Sequence, residues 1–422
     1  MSELSHGLLL QDQGRLEEAE VCFYNVLARE PDNDFVYGRL ALCQMSQPGK
    51  KRRALETIEE AIRLHPDEPF YFSVKAIILA ELHRGKEALA AAEAAVRLNP
   101  DDTFALSAKA NAFCAMDRWA EAEEWSRRAL ALDGDNAMAA NILAHTLRMQ
   151  GKRQLNTEAV ERLLAADPED SFAHVNAGWS ALHSRDQGRA EQHFREALRL
   201  DPESDMAREG LLEAFRARSW FYRAYLSYCF FMQRYTEGKQ WMIFLGAFFI
   251  YQVSRHYLES LNPVYAGVLV AVWLGLVLWV WLAPGIGNFL ILLDRSARLA
   301  LKPGERHQGI AVGGVFAGGT FVTIAGLVSG YYPLLVAGVG LLVTTIPASL
   351  TFGNASLRGR RLFGTLTLLS YAAVGFMTVL EWGRHPAPMH PLSRGLGTFA
   401  LFAAVACTWL GNIRSLRRST DD

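Results

Sequence analysis

"AIRLHPDE" at 61–68, "AVRLNPDD" at 95–102 and "ALRLDPES" at 197–204 are one phrase written three times. Its proline belongs to a longer ruler. Pro31, Pro66, Pro100, Gly134, Pro168 and Pro202 follow one another at an interval of 35 residues once and 34 residues four times. A fixed period of that length marks a helical repeat array. Other positions keep the same phase. Twelve residues before each marker stand Ala19, Ala54, Ala88, Ala122 and Ala190, with Asn156 as the exception. Eight before it come Phe23, Ile58, Ala92, Ser126, Val160 and Phe194; five before it come Val26, Ala61, Ala95, Ala129, Leu163 and Ala197.

The pattern predicts two antiparallel helices per unit. Alanines sit where backbones approach closest, larger residues fill the gaps, and proline ends the second helix because it cannot continue the hydrogen-bond ladder. The three quoted phrases, with Gly7, Gly14, Gly151 and Gly178 at small or turn positions, resemble the tetratricopeptide repeat (TPR) family. The resemblance covers residues 1–202, six units in register. It implies an α-solenoid whose first helices line a concave, partner-binding groove. By phase that groove carries Phe35, Leu42, Met45, Phe70, Ile77 and Phe104 in the first units. Asn111, Met138, Asn141, His145, Arg148, Phe172 and Trp179 continue it. An apolar and aromatic groove with a few polar handles suits an amphipathic or extended peptide segment. The family's carboxylate-clamp variety uses basic and Asn residues of the first helices, and only Asn111 fits that pattern.

The net charge of -1 over 422 residues conceals two unlike halves. From Trp241 to the end there are 13 Lys+Arg against 6 Asp+Glu, so that half is +7 and the rest is -8. Basic residues beside apolar spans and an acidic soluble half do not point to nucleic acid. Cys22, Cys43, Cys114, Cys229 and Cys407 form no close pair, so neither a disulfide framework nor a zinc site is indicated. Residues 1–30 carry no secretory leader pattern, the run Leu8–Leu10 being too short.

After Pro202 the "MAREGLLEAFRAR" stretch predicts a helix over 203–218 that caps the solenoid. Residues 219–240 are rich in aromatic and arginine side chains, among them Trp220, Tyr222, Arg223, Tyr225 and Arg234. Rings that are half dry and guanidinium groups that meet phosphates favour a headgroup layer. This segment, with Trp241, is expected to be an interfacial elbow.

Beyond it the residues read as a polytopic α-helical bundle of about six spans: 241–257, 264–282, 310–328, 331–350, 362–380 and 396–413. The middle four, of 19 or 20 residues, suffice for a hydrocarbon layer of ~30 Å, and 241–257 and 396–413 are less clear. With six crossings and the repeats inside, ten basic residues, from Arg295, Arg298, Lys302 and Arg306 to Arg418, fall on the cytoplasmic side. Only Arg255, Arg384 and Arg394 fall opposite. An amphipathic interfacial segment is expected over 286–301, with Asp294 and Arg298 on one face, and a cytoplasmic tail over 414–422. Gly314 and Gly318 have the spacing that lets two helices touch closely, within the bundle or in a homo-oligomer.

No catalytic constellation stands out, and neither a metal nor a cofactor is expected. His385 and His390 in "RHPAPMH" make a poor metal pair. Glu381 and Arg255 lie at span ends, within snorkelling reach of the interface. The sequence therefore reads as an all-α, non-enzymatic membrane adaptor in a bacterial inner membrane. Its groove recruits a protein and its bundle holds that partner at the bilayer or in a larger complex. The other readings are a TPR-regulated channel or transporter subunit, with Thr320, Thr323, Thr344, Thr345, Thr365 and Ser370 as a polar stripe, and, more distantly, a membrane lipid-modifying enzyme.

Overall fold

The computed structural model describes residues 2–235, 237–295, 297–354, 356–382 and 389–411. Every element among them is helical, and the chain divides into a unit ending at Ala207 and a second beginning at Arg208.

In the first unit six helix pairs follow one another. They are α1 (Glu3–Asp12) and α2 (Leu16–Leu27), α3 (Asp34–Met45) and α4 (Lys51–Leu64), and α5 (Pro69–Glu81) and α6 (Gly85–Leu98). Next come α7 (Thr103–Cys114) and α8 (Trp119–Leu132), α9 (Ala137–Met149) and α10 (Arg153–Ala166), and α11 (Ser171–His183) and α12 (Gln187–Leu200). The five phased alanines are fully buried, and Asn156 in the fifth unit is 3% exposed with its amide donating to the Ala144 carbonyl at 2.7 Å. Phe23, Ile58, Ala92, Ser126, Val160 and Phe194 are buried too. Gly7 and Gly178 are small because the rings of Phe23 and Phe194 stand 3.0 and 2.6 Å from where a Cβ would be.

Each first helix from the second unit onward starts at a side-chain cap. Asn33, Glu68, Asp102, Asn136 and Asp170 accept from the backbone N–H of Val36, Phe70, Phe104, Ala139 and Phe172. The turn inside every pair uses one left-handed residue: Gly14, Gly49, His83, Asp117, Gly151 and Arg185, with φ between 57° and 75°.

Helix α13 (Asp205–Arg216) follows, and from Arg208 on it groups with the second unit rather than only closing the repeats. There α14 (Trp220–Met232), α15 (Glu237–Leu261) and α16 (Pro263–Leu293) precede a short α17 (Pro303–Gln308). A π-helical stretch, Gly309–Gly314, leads into α18 (Val315–Ser329), followed by α19 (Tyr332–Phe352), α20 (Leu357–Glu381) and α21 (Pro391–Leu410).

Five helical stretches among the described residues are long and apolar enough to cross a membrane: Pro263–Leu293, Pro303–Ser329, Tyr332–Phe352, Leu357–Glu381 and Pro391–Thr408. The sixth expected span is a continuous helix, α15, that falls short in apolarity. Its uncharged stretch 241–254 covers only about 21 Å at 1.5 Å per residue, between Lys239 and Arg255. The expected interfacial segment 286–301 is not a separate helix. Residues 286–293 are the last turns of α16, which runs through Pro284 and at about 46 Å outreaches the hydrocarbon layer. Asp294 is already non-helical, so Asp294 and Arg298 do not share a helix face.

Candidate functional site: the first helices of the repeats and a buried arginine node

On the first helices, the Phe70 and Phe104 rings stack at 5.5 Å, joining the second helix pair's neighbour to the next. Phe70 also meets Tyr71 edge-on at 5.8 Å. Both phenylalanines are half-buried, whereas Phe35 and Phe172 are 47% and 54% exposed. Met45 and Ile77 are half-buried and pack against core clusters beneath them. Asn111 is half-buried. Asn141 donates to Asp170 at 3.2 Å and accepts from Asn176 at 2.7 Å, a polar ladder across two units.

His145, Arg148 and Trp179, read as handles of one open groove, gather inside the wall. Arg148 is buried, its Nη2 is 2.8 Å from Nδ1 of His145, and its guanidinium lies 5.5 Å over the Trp179 ring. Burial, then the nearby Arg148 charge, brings the His145 pKa down to about 3, so the imidazole is neutral. Burial alone lowers Arg148 to about 10. Trp179 packs edge-on against Phe194 at 5.6 Å.

The sequence reading missed two buried carboxylate knots. Glu20 accepts from Lys50 at 2.6 Å, Gln47 at 3.0 Å and Gln44 at 3.2 Å. Glu123 accepts from Lys152 at 2.6 Å, Gln150 at 2.7 Å and Arg127 at 2.9 Å. Burial pushes both pKa values up, but these donors outweigh it and hold both carboxyls below their ordinary range.

In the second unit the segment expected to lie on lipid is organised by Arg216, which is 8% exposed. Its Nε donates to Asn288 of α16 at 2.9 Å, its Nη2 to Glu305 of α17 at 2.9 Å, and its Nη1 to Glu213. Burial opposes the charge, but the two carboxylates prevail and hold Arg216 above its ordinary value. Tyr222, expected at a membrane interface, is packed inside the protein. It is 2% exposed, its hydroxyl donates to Glu213 at 3.2 Å, and its ring stands 2.8 Å from where a Cβ on Gly287 would be. Asn288 passes the chain on to Gln308 at 3.0 Å. One network thus ties α13, α14, α16 and α17.

Trp220, at 74%, and Trp241, at 49%, are exposed, as are Arg234, Arg295 and Arg298. Arg223 is half-buried, and Tyr225 is half-buried with its ring 6.0 Å from Trp279.

Within the chain, Gly314 and Gly318 do not make the close contact their spacing suggests. A Cβ on Gly318 meets nothing within 4 Å and one on Gly314 only the Phe289 ring at 4.0 Å. Tight positions on this stretch include Gly313, 2.1 Å from Phe289 Cβ, Gly326, 2.5 Å from the Leu335 backbone N, and Gly319, 3.1 Å from Leu341 Cβ. The π-helical turn inserts a residue and rotates the following face, which the sequence phase does not reveal. Nor does Glu381 snorkel: it is 1% exposed and accepts from the His390 backbone at 3.0 Å.

The proposed polar stripe is turned inward on itself. Thr320, Thr323, Thr344, Thr345 and Thr365 each donate to a carbonyl of their own helix, and the buried Ser370 hydroxyl has no hydrogen-bond partner. His385, Arg384 and the tail 414–422 lie outside the described residues.

Helical hairpins of this length, capped and turned alike, define a repeat solenoid. Residues 10–78 and 143–205 match tetratricopeptide-repeat family profiles, so these stretches are tetratricopeptide repeats. No curated protein matches the chain. Among solved structures it is similar to PilW, described as a widely conserved type IV pilus biogenesis factor, with 16% identity over 50% of this chain and 96% of that one, at a TM-score of 0.40. A tetratricopeptide repeat protein from Parabacteroides merdae has 18% identity, with 56% and 94% covered and a TM-score of 0.40. The Thermus thermophilus protein TTC0263 has 17% identity, with 43% and 98% covered and a TM-score of 0.40.

Proposed function

We propose that the protein is a membrane-anchored adaptor whose repeats capture a protein segment and whose second unit holds it at a bilayer. The observation that carries this reading is the pairing of two surfaces on one chain. The repeats leave aromatic side chains on their first helices, Phe35 and Phe172 exposed and the Phe70–Phe104 stack half-open. The second unit leaves long apolar helices whose outer faces, such as Phe249, Val268, Phe321 and Leu368, are uncovered by protein.

In this reading α15 is a sixth crossing. It is 25 residues long, its Tyr251 stacks on Trp273 of α16 at 4.7 Å, and Lys239 and Arg255 reach the interfaces by snorkelling. Six crossings leave the basic connections on the repeat side, the cytoplasm of a bacterial cell, as the charge rule requires. Trp220 and Trp241 then sit in the interfacial belt. The channel reading is less supported, because Thr344, Thr345 and Ser370 of its stripe are buried in the protein.

The test is co-purification from membranes. Replacing Phe70 and Phe104 together by Ala is expected to release a co-purifying protein while the variant stays in the membrane fraction. If every co-purifying protein is retained, the first-helix face is not the recruiting surface.

A further inference from the structure

We propose that the hairpin turn of the fifth repeat holds a carboxylate-binding recess centred on Arg148. A guanidinium is seldom buried without an acid partner, because desolvation of the charge then goes uncompensated. Arg148 is 9% exposed, no carboxylate lies within ion-pair distance among the described residues, and its Nε has no hydrogen-bond partner. Its polar contact is a neutral imidazole, His145, and its flat face rests on Trp179. By contrast, the buried Arg216 has two carboxylates within hydrogen-bond reach.

A small recess opens beside this cation, with room of about 10 Å³, enough for one oxygen-sized atom. Arg153, Asn156, Ser180, His183 and Ser184 line it with Arg148, as does Gly151 of the left-handed turn. Arg153 is exposed at its rim and opens α10, a helix with no side-chain cap, so its first amides carry the positive end of the helix dipole. Two guanidinium groups, two hydroxyls and an uncapped helix start favour an anion. The recess has room for one oxygen, so a carboxylate would enter it by a single oxygen. The site lies at the hairpin turn and stands independently of partner capture by the first helices.

The test uses the full-length protein in detergent micelles, titrated at constant ionic strength with acetate, inorganic phosphate or chloride, with melting temperature as the readout. Acetate is expected to raise the melting temperature saturably, with phosphate and chloride giving weaker responses. The response is lost in Arg148→Gln and its midpoint shifts at least three-fold in Arg153→Ala, a surface change that leaves the core intact. No saturable acetate response, an undiminished response in both variants, or a stronger response to phosphate overturns the proposal. Should Arg148→Gln fail to fold, Arg153→Ala and Ser184→Ala decide: an unchanged acetate midpoint in both overturns it.

Discussion

Arg216 shows what a single side chain can hold together. It donates to three groups from α13, α16 and α17, and two of them, Glu213 and Glu305, are carboxylates. Removing one member of a buried ion pair leaves the others uncompensated. Arg216→Ala is therefore expected to lower stability by about 3–5 kcal/mol, read as a loss of melting temperature in detergent, with Arg216→Ala/Glu213→Gln less damaged. Glu20 and Glu123 set a pH dependence of the opposite half. Their folded pKa values lie below the unfolded carboxylate value of about 4.3, so their contribution is complete above that pH and is lost as pH falls through the folded pKa. The melting temperature is expected to fall on acidification below about pH 4, and Glu123→Gln to flatten part of that slope. The phased alanines were legible in the sequence because close approach recurs with the period. Arg216 and Glu305, 89 residues apart, obey no period, and composition alone placed Tyr222 on lipid.

At the scale of elements, six turns adopt the same left-handed geometry, but three of them do so without glycine. For an L-residue that conformation costs about 1–2 kcal/mol. Gly14 has open space around its absent Cβ, so Gly14→Ala isolates the backbone cost and is expected to destabilise by about 1 kcal/mol. Arg185→Gly relieves the same strain and is expected to be stabilising by a smaller amount, both read from thermal melts. In the second unit Gly313→Ala forces a methyl into Phe289 and is expected to cost about 1–3 kcal/mol by overpacking, while Gly318→Ala, facing open space, leaves the melting temperature unchanged. Reversal of that pair would mean that the π-helical turn does not set the packing face. Helix identity in this half was plain from length and apolarity. Helix phase was not, because a single inserted residue shifts it without a mark in the composition.

At the scale of the molecule, the chain joins two halves with opposite solvent demands. The first buries alanines and aromatics inside helix pairs and keeps most of its charges at the surface; the second leaves bulky apolar residues uncovered along long helices. The repeat ruler and the apolar runs carry this division in the sequence itself, whereas the buried arginine nodes that rigidify each half emerge only from the folded chain. The account turns on the repeats standing in water on the side of the basic connections while the second half stays in the bilayer. Protease digestion of sealed bacterial cells and of inverted membrane vesicles, followed with an N-terminal tag, tests this most directly. The repeats are expected to survive in sealed cells and to be cut in inverted vesicles, leaving a membrane-retained C-terminal half. Digestion of the repeats in sealed cells, with protection in inverted vesicles, would contradict the account.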